Sequence, residues 1–555
     1  MAQANSVKIG KALSNFFKVL SPDKKDISSI YILAILAGLV QLSLPLGIQT
    51  IISFVMAGSI STSIIILIVM VVIGTFLNGL LQVRQMQVIE KVQQKIFLRY
   101  SLEFANRLPK LNIEKLDSYY LPELVNRFFD TVSLQKGIDK ILLDIPTAII
   151  QITFGVILLS FYHPVFIAFG LVLLLIIFLI LRFTSPQGLQ TALKASEYKY
   201  GIAAWLEEMA RTIKSFKYSK GTLLHLHKTD KLVSGYLDSK TDHFKILLTQ
   251  FWSLITFKII ITMAMLIVGA TLLVDQQINI GQFIAADIVI LTIIASVEKL
   301  ITNLDKIYDA LTSVEKLSKI TESEVEQEGT LLLSTANKGV EIEFNNVSFS
   351  YADDKQVLQN VSFKIPSGKL VCVQGISGSG KSTLLRLLTA AYKNFEGNIL
   401  IDGAPIGNYQ LRSLRSQTGV LLSQQDIFQG TLLENITLGN HTLTMDDVTA
   451  LAKKIGLFSF IQTHKNGYDT VLDPQGKRLP KKVRQNILLL RALLGKHRLL
   501  LLEEPFDHLE EQQQVAVMDY IKNEKDSTII ITAFNEKIAR ECDIIFELKN
   551  GTING

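Results

Sequence analysis

The sequence predicts a membrane α-helical bundle of six transmembrane helices followed by an α/β P-loop domain. Three observations carry that expectation. Apolar residues concentrate before about residue 320; the pattern turns acidic at Lys319 to Lys338; and beyond it strand-like and helix-like stretches alternate around the run Gly375-Ile376-Ser377-Gly378-Ser379-Gly380-Lys381-Ser382-Thr383. The chain has 555 residues, 48% of them hydrophobic, a formal net charge of +6 and a mean hydropathy of +0.33. That is too apolar for an ordinary soluble protein and long enough for two or three domains.

Before the first apolar stretch, Ile9, Ala12, Leu13, Phe16, Phe17 and Leu20 keep helical spacing, while Lys8, Lys11 and Lys18 fall elsewhere. This predicts an amphipathic N-terminal helix over residues 1–26, lying on the membrane surface; packing on the α/β domain is the other use for such a face. The apolar span that follows runs too long for a signal-peptide core, and no small-residue cleavage site follows it.

Stretches such as Ile64 to Leu81, Ile149 to Phe161, Val165 to Leu181 and Ile259 to Val274 match a hydrocarbon core about 30 Å thick at about 1.5 Å per helical residue. Six spans are expected within a domain over residues 27–320, near 28–56, 62–86, 141–161, 164–184, 245–274 and 280–303. The short connections Gly58 to Ser63, Ser160 to Pro164 and Asp275 to Ile280 contain no Lys or Arg, whereas the N-terminus and both long loops are rich in them. The positive-inside rule therefore places the N-terminus, the long loops and the α/β domain in the cytoplasm, and the basic balance reads as inner-leaflet anchoring to the lipid bilayer. No basic patch with interleaved aromatics suggests nucleic acid.

Both long loops keep helical periodicity, which predicts helices projecting past the bilayer, with Leu121 to Asp130 and Tyr200 to Met209 at the tips facing the α/β domain. Lys258 and Asp287 are ionisable residues inside apolar segments and functional candidates by default. Counted from the outer connection, they lie about 24 Å and about 10 Å deep, too far apart to pair directly. Lys258 either snorkels to the inner interface or faces a wet cavity.

A linker over 321–339, rich in Glu322, Glu324, Glu326 and Glu328, leads to the second domain at 340–555. Val340 to Val347 and Val361 to Ile365 read as strands, with turn signals at Asp353-Asp354 and Pro366-Ser367-Gly368. Cys372 and Cys542 are the only cysteines, read as small buried hydrophobes rather than a disulfide or a zinc cluster.

The run from Gly375 to Thr383 follows the apolar Leu370-Val371-Cys372-Val373 and opens the helix-like Leu384 to Leu388. That is the strand–loop–helix context of a phosphate-gripping loop. Its glycines let backbone N–H groups converge on a β-phosphate, Lys381 reaches the β/γ oxygens, and the Ser382 hydroxyl can ligate Mg²⁺. Downstream, Arg498-Leu499-Leu500-Leu501-Leu502-Glu503-Glu504-Pro505 is an apolar strand ending in two carboxylates, the arrangement of a magnesium and water-activating edge.

Together these motifs resemble an ATP-binding cassette, and the six spans with two long loops resemble the type I exporter fold of that family over nearly the whole chain. The resemblance implies ATP and Mg²⁺ as cofactors, held by Gly375, Ser377, Gly378, Ser379, Gly380, Lys381, Ser382 and Thr383. Tyr351 matches the aromatic that stacks on adenine. Gln424, in Leu422-Ser423-Gln424-Gln425-Asp426, matches the glutamine that senses Mg²⁺, so the metal set is Ser382, Gln424 and Glu503. Glu504 takes the place of the catalytic glutamate beside Gln424, and Asp507 falls in the loop that communicates across a dimer.

Pro45-Leu46-Gly47-Ile48-Gln49 and Ile280-Gly281-Gln282-Phe283-Ile284-Ala285 look like the bacterial type I secretion and bacteriocin exporters. The implied protein is therefore an inner-membrane half-transporter acting as a homodimer or heterodimer. Its implied cargo is a peptide or protein, its implied partners a periplasmic adaptor and an outer-membrane channel. A lipid or small-amphiphile exporter and an ATP-binding regulatory or scaffold subunit remain alternatives.

Three departures matter. Glu503 stands where the family has Asp; Leu479-Pro480-Lys481-Lys482-Val483 replaces the Leu-Ser-Gly-Gly-Gln signature; and Ala533 follows Ile529-Ile530-Ile531-Thr532 where a histidine is expected. Mg²⁺ demands near-ideal octahedral geometry, and the signature's serine and glycines are lost, so ATP binding with slow turnover is expected.

Overall fold

The computed structural model describes residues 9–58, 62–116, 121–336, 338–351, 356–533 and 535–554. Lys8, part of the Gly58 to Ser63 connection and the Asp353-Asp354 turn lie outside the described residues. The chain divides at Glu324 into two compact units, one helical and one α/β, and residues 112–116 group with the second.

The helical unit runs α1 (Ile9–Leu20), α2 (Lys24–Gln41), α3 (Ser43–Met56), α4 (Thr62–Arg107), then past the short α5 (Ile113–Leu116) to α6 (Leu121–Asn126), α7 (Asp130–Asp139) and α8 (Ile145–Tyr162). It continues with α9 (Val165–Arg211), α10 (Ile213–Lys217), α11 (Leu224–Val274), α12 (Ile280–Thr302) and α13 (Leu304–Thr321). Six of its helical stretches are long and apolar enough to cross a membrane, with lengths of 41 to 51 residues. At about 1.5 Å per residue each is roughly twice the thickness of a hydrocarbon core, so the projecting extensions follow directly.

The first span breaks between α2 and α3 at Leu42, where the ring of Pro45 and its missing N–H disturb the turn carrying the Gln41 carbonyl. Close helix contacts depend on small residues: a Cβ on Gly155 would meet Ile293 at 2.9 Å, and one on Gly269 would meet Phe283 at 2.6 Å.

Two expectations need correction, and a third residue gains a partner. The apolar face of α1 is not spread on lipid: Ala12, Phe16 and Leu20 are buried, and α1 packs on α13 of its own unit. The helix is anchored just beyond its end, where Arg99 donates to buried Asp23 at 2.5 Å and to the Val19 carbonyl at 2.8 Å. The turns of the two long loops lie at residues 112–116 and at α10, whereas Tyr200 to Met209 is interior to α9 and Leu121 to Asp130 belongs to the helices leading back. Lys258 has a partner that the hydropathy pattern concealed, Glu298 of α12, at 2.8 Å. Asp287 is half-buried with no ion pair among the described residues.

The α/β unit contains β1 (Ile342–Phe349), β2 (Leu358–Ile365), β3 (Leu370–Gln374), α14 (Lys381–Leu388), β4 (Glu396–Ile401), β5 (Ala404–Pro405), β6 (Thr418–Leu421), α15 (Lys481–Leu493), β7 (Leu499–Glu503), α16 (Glu511–Asn523), β8 (Thr528–Thr532), β9 (Ile544–Lys549) and β10 (Thr552–Asn554). Strands β2-β1-β4-β5 form one sheet, and β10-β9-β3-β8-β7-β6 form a second that is parallel except at β10. Every residue of β7 and β8 is buried, as expected of a parallel sheet covered on both faces, which explains their unbroken apolar runs. The phosphate loop and the Glu503-Glu504 edge therefore both emerge at carboxyl ends of parallel strands flanking β8, on the side where such sheets bind ligands.

The linker is held to this unit: Glu326 receives both Nη1 and Nη2 of Arg415 at 2.6 Å, and Gly329 N donates to the Tyr409 carbonyl at 3.1 Å. Both cysteines are free; Cys372 is buried and Cys542 half-buried.

Candidate nucleotide site

The loop from β3 to α14 is shaped by glycine. Gly378 (φ 81°) and Gly380 (φ 108°) occupy the left-handed region, and a Cβ on Gly378 would find no atom within 4 Å, leaving open space at the loop crest. Ser377 is exposed beside it, while Ser379 is buried and its Oγ has no partner among the described residues. Lys381 lies across the loop, its Nζ donating to the carbonyls of Gly375 at 2.7 Å and Ile376 at 3.0 Å. Burial pushes its pKa down, against the pull of Glu504 and Glu503.

Ser382 and Glu503 meet directly. The Ser382 hydroxyl donates to Glu503 Oε1, and the backbone N–H of Ser423 donates to Oε2 at 2.7 Å. The longer glutamate thus spans from the end of β7 to both α14 and the loop after β6. Gln424, next along that loop, is exposed and its side chain has no hydrogen bond among the described residues. Ser382, Glu503 and Gln424 offer only oxygen ligands in one neighbourhood, a donor set that suits a hard dication such as Mg²⁺.

Glu504 is held in a left-handed conformation (φ 48°), its N–H donating to Thr532 Oγ1 at 3.0 Å. Burial raises its carboxyl pKa, and Asp507 and Glu503 push the same way. In the parallel register Thr532 stands beside Glu503, so the buried Ala533 follows at the level of Glu504 and offers only a methyl group.

Tyr351 stands at the opening of α14. Its hydroxyl lies 3.1 Å from Thr383 Oγ1 and accepts from Arg386 at 3.1 Å, and its ring meets Phe349 and Tyr392 edge-on at 4.9 and 5.5 Å.

The stretch replacing the signature opens α15. Pro480 is its cap residue and supplies no side-chain hydrogen bond, and Lys481 and Lys482 occupy the first turn, where cations oppose the helix dipole. Lys482 is not a free charge: its Nζ lies 2.5 Å from Glu510 Oε1. Sequence reasoning did not find this pair, nor the roles of Ser423 and Thr532. All three depend on strand register and turn geometry rather than on spacing along the chain.

Two family models match in the expected order: the ABC transporter transmembrane region over residues 27–297 and the ABC transporter model over residues 358–507. The chain belongs to the ABC transporters. Among its relatives is the α-hemolysin translocation ATP-binding protein HlyB of Escherichia coli O157:H7, 30% identical over 63% of this chain and 50% of that protein. The β-(1→2)glucan export ATP-binding/permease protein NdvA of Rhizobium meliloti is 30% identical over 52% of this chain and 50% of that protein. The putative multidrug export protein YgaD of Bacillus subtilis is 35% identical over 38% of this chain and 37% of that one. This ABC transporter chain thus spans about half the length, or less, of these curated relatives. In fold it is similar to a bacterial Atm1-family ABC exporter solved with ATP bound, with a TM-score of 0.86, 20% identity, and 96% and 94% of the two chains covered.

Proposed function

We propose that this chain is one half of an ATP-driven exporter that moves a peptide or protein out of the cytoplasm across a bacterial inner membrane, paired with a second copy or a different half-transporter. The observation that carries the reading is one sheet edge that presents Lys381, Ser382, Glu503 and Glu504 together in a chain with six membrane-length helices. The peptide or protein class of cargo is favoured by relatives named for α-hemolysin translocation and for cyclolysin secretion, and a periplasmic adaptor and an outer-membrane channel are the partners this reading infers. NdvA and YgaD support the alternative of a glycan, lipid or small amphiphile.

In this reading the loop N–H groups and Lys381 hold the phosphates of ATP, Ser382, Glu503 and Gln424 hold Mg²⁺, and Tyr351 stacks on the base. Mg²⁺, when bound, neutralises charge on the transferred phosphoryl group. Glu504 orients and deprotonates the attacking water; its raised pKa makes it a stronger base than an ordinary carboxylate.

A second reading, an ATP-binding subunit with little turnover, is favoured by three features. Both Glu503 oxygens are already engaged, Ala533 supplies no polar group, and Lys482 is neutralised by Glu510. Assaying ATP hydrolysis by the purified chain in lipid, with and without Glu504→Gln, separates the two. Activity lost on substitution supports the motor, and equal inactivity with bound ATP supports the scaffold.

A further inference from the structure

The face of α1 turned away from α13 is basic. Lys11 and Lys18, seven residues or two helical turns apart, stand on its exposed side, and Lys24 and Lys25 are exposed where the chain enters α2. Phe17 is 51% exposed among them. No carboxylate occurs in α1, and the two that follow it are engaged: buried Asp23 holds Arg99, with Lys95 at 3.5 Å, and Asp26 lies 2.6 Å from Lys95 and 3.2 Å from Lys91. Lys11, Lys18, Lys24 and Lys25 therefore have no ion pair among the described residues.

Two helices fix the level of this surface. On α2 the exposed apolar side chains begin at Ile32, Ile35 and Leu36, about 10 Å beyond Lys25. On α4 an exposed apolar run from Ile65 to Met86 ends about 8 Å before Lys91. Asp26 joins the two helices at that border through Lys91 and Lys95. A headgroup layer is about 5 to 8 Å thick on each side of a hydrocarbon core of about 30 Å. The lysines therefore stand at headgroup depth.

Charge then selects the headgroup. A zwitterionic headgroup brings an ammonium together with its phosphate, and this face has no free carboxylate to receive the ammonium. A headgroup of net negative charge meets the four lysines without that cost. Phe17 supplies a ring for the boundary between headgroups and acyl chains. We propose that the outer face of α1, with Lys11, Lys18, Lys24 and Lys25, is a docking surface for anionic phospholipid headgroups such as phosphatidylglycerol. The apolar face then holds α1 to α13, and the basic face ties the helical unit to one leaflet. The surface lies wholly within the helical unit and does not depend on the nucleotide reading.

The test places a fluorophore at Ser14→Cys, on a Cys542→Ser background, in the full chain held in lipid nanodiscs. Ser14 is exposed between Lys11 and Lys18. Quenching by spin-labelled phosphatidylglycerol is compared with quenching by spin-labelled phosphatidylcholine. Each lysine near the surface favours the anionic lipid by about fivefold, so a preference of at least about tenfold is expected. It should fall to near unity when Lys11→Gln, Lys18→Gln, Lys24→Gln and Lys25→Gln are combined. The same loss is expected at about 1 M salt, where the Debye length is about 3 Å. A control combining Lys465→Gln, Lys477→Gln, Lys496→Gln and Lys525→Gln, all exposed in the α/β unit, should keep the preference. Every lysine replaced is exposed, and circular dichroism checks that both variants fold. Equal quenching by the two lipids, or a preference that survives the four substitutions around α1, would overturn the proposal. Loss of the preference in millimolar inorganic phosphate at constant ionic strength would overturn it in favour of a free-anion site. A label shielded from both lipids would overturn it in favour of a protein covering this face.

Discussion

Lys316 on α13 is only 2% exposed, and its nearest carboxylate oxygen, on Glu197, is 3.8 Å away. Burial, followed by repulsion from Lys319, pushes its pKa down from 10.5 to about 8, against the pull of Glu197. A depressed folded-state pKa contributes stability above the unfolded value that is lost as pH falls through about 8. At neutral pH the folded chain therefore bears the cost of a buried ammonium. At about 1.36 kcal/mol per pH unit, the interval from 10.5 to about 8 corresponds to about 3 kcal/mol. Lys316→Met keeps the length of the side chain and removes that cost. The variant should therefore be more stable than the parent by about 3 kcal/mol at pH 7 and by roughly half that at pH 9.5, where the folded parent's lysine is largely neutral while the unfolded chain's is still mostly charged. Trp205 and Trp252, the only two tryptophans, both lie in the helical unit, so their fluorescence during denaturant titration reads this unit. A variant less stable than the parent at pH 7, or a difference that does not change with pH, would show that the Lys316–Glu197 contact outweighs desolvation.

Three further outcomes follow from particular contacts. Asp23→Ala removes the buried acceptor of Arg99, and should cost about 2 kcal/mol and speed tryptic cleavage at Lys24 and Lys25. Thr532→Val deprives the Glu504 N–H of its partner, so ATP hydrolysis should fall by about tenfold or more while ATP binding, measured by nucleotide titration, persists. Glu503→Asp withdraws the carboxylate from Ser382 by about one methylene and should tighten Mg²⁺ dependence, seen as a lower Mg²⁺ concentration for half-maximal ATP binding.

What could be read directly from the sequence was what local pattern dictates. Leu370 to Val373 and Leu499 to Leu502 announced buried parallel strands because both faces of such strands are covered, and the phosphate loop between strand and helix needed no tertiary information. The six spans were visible because twenty apolar residues have few other uses. Contacts between distant segments were not visible. The face of α1 that looked fit for lipid is covered by α13, an alternative that amphipathicity alone does not decide. Glu298 lay near the polar end of its span and did not register as an intramembrane charge until it was found 2.8 Å from Lys258. At the site, the departures at 480–482 and 503 were plain as letters. Their consequences, Lys482 tied to Glu510 and Glu503 reaching the Ser382 hydroxyl, required the fold. The loop tips were misplaced because helical periodicity persists through Tyr200 to Met209 and gives no sign of where the helix turns.

The measurement that bears most directly on the ATP-driven reading is phosphate release by the full chain in lipid vesicles, compared with Glu504→Gln. Slow, Mg²⁺-dependent hydrolysis that disappears in the variant while ATP remains bound is the predicted result. Hydrolysis that is unchanged by the substitution, or a parent chain with no affinity for Mg-ATP, would contradict it.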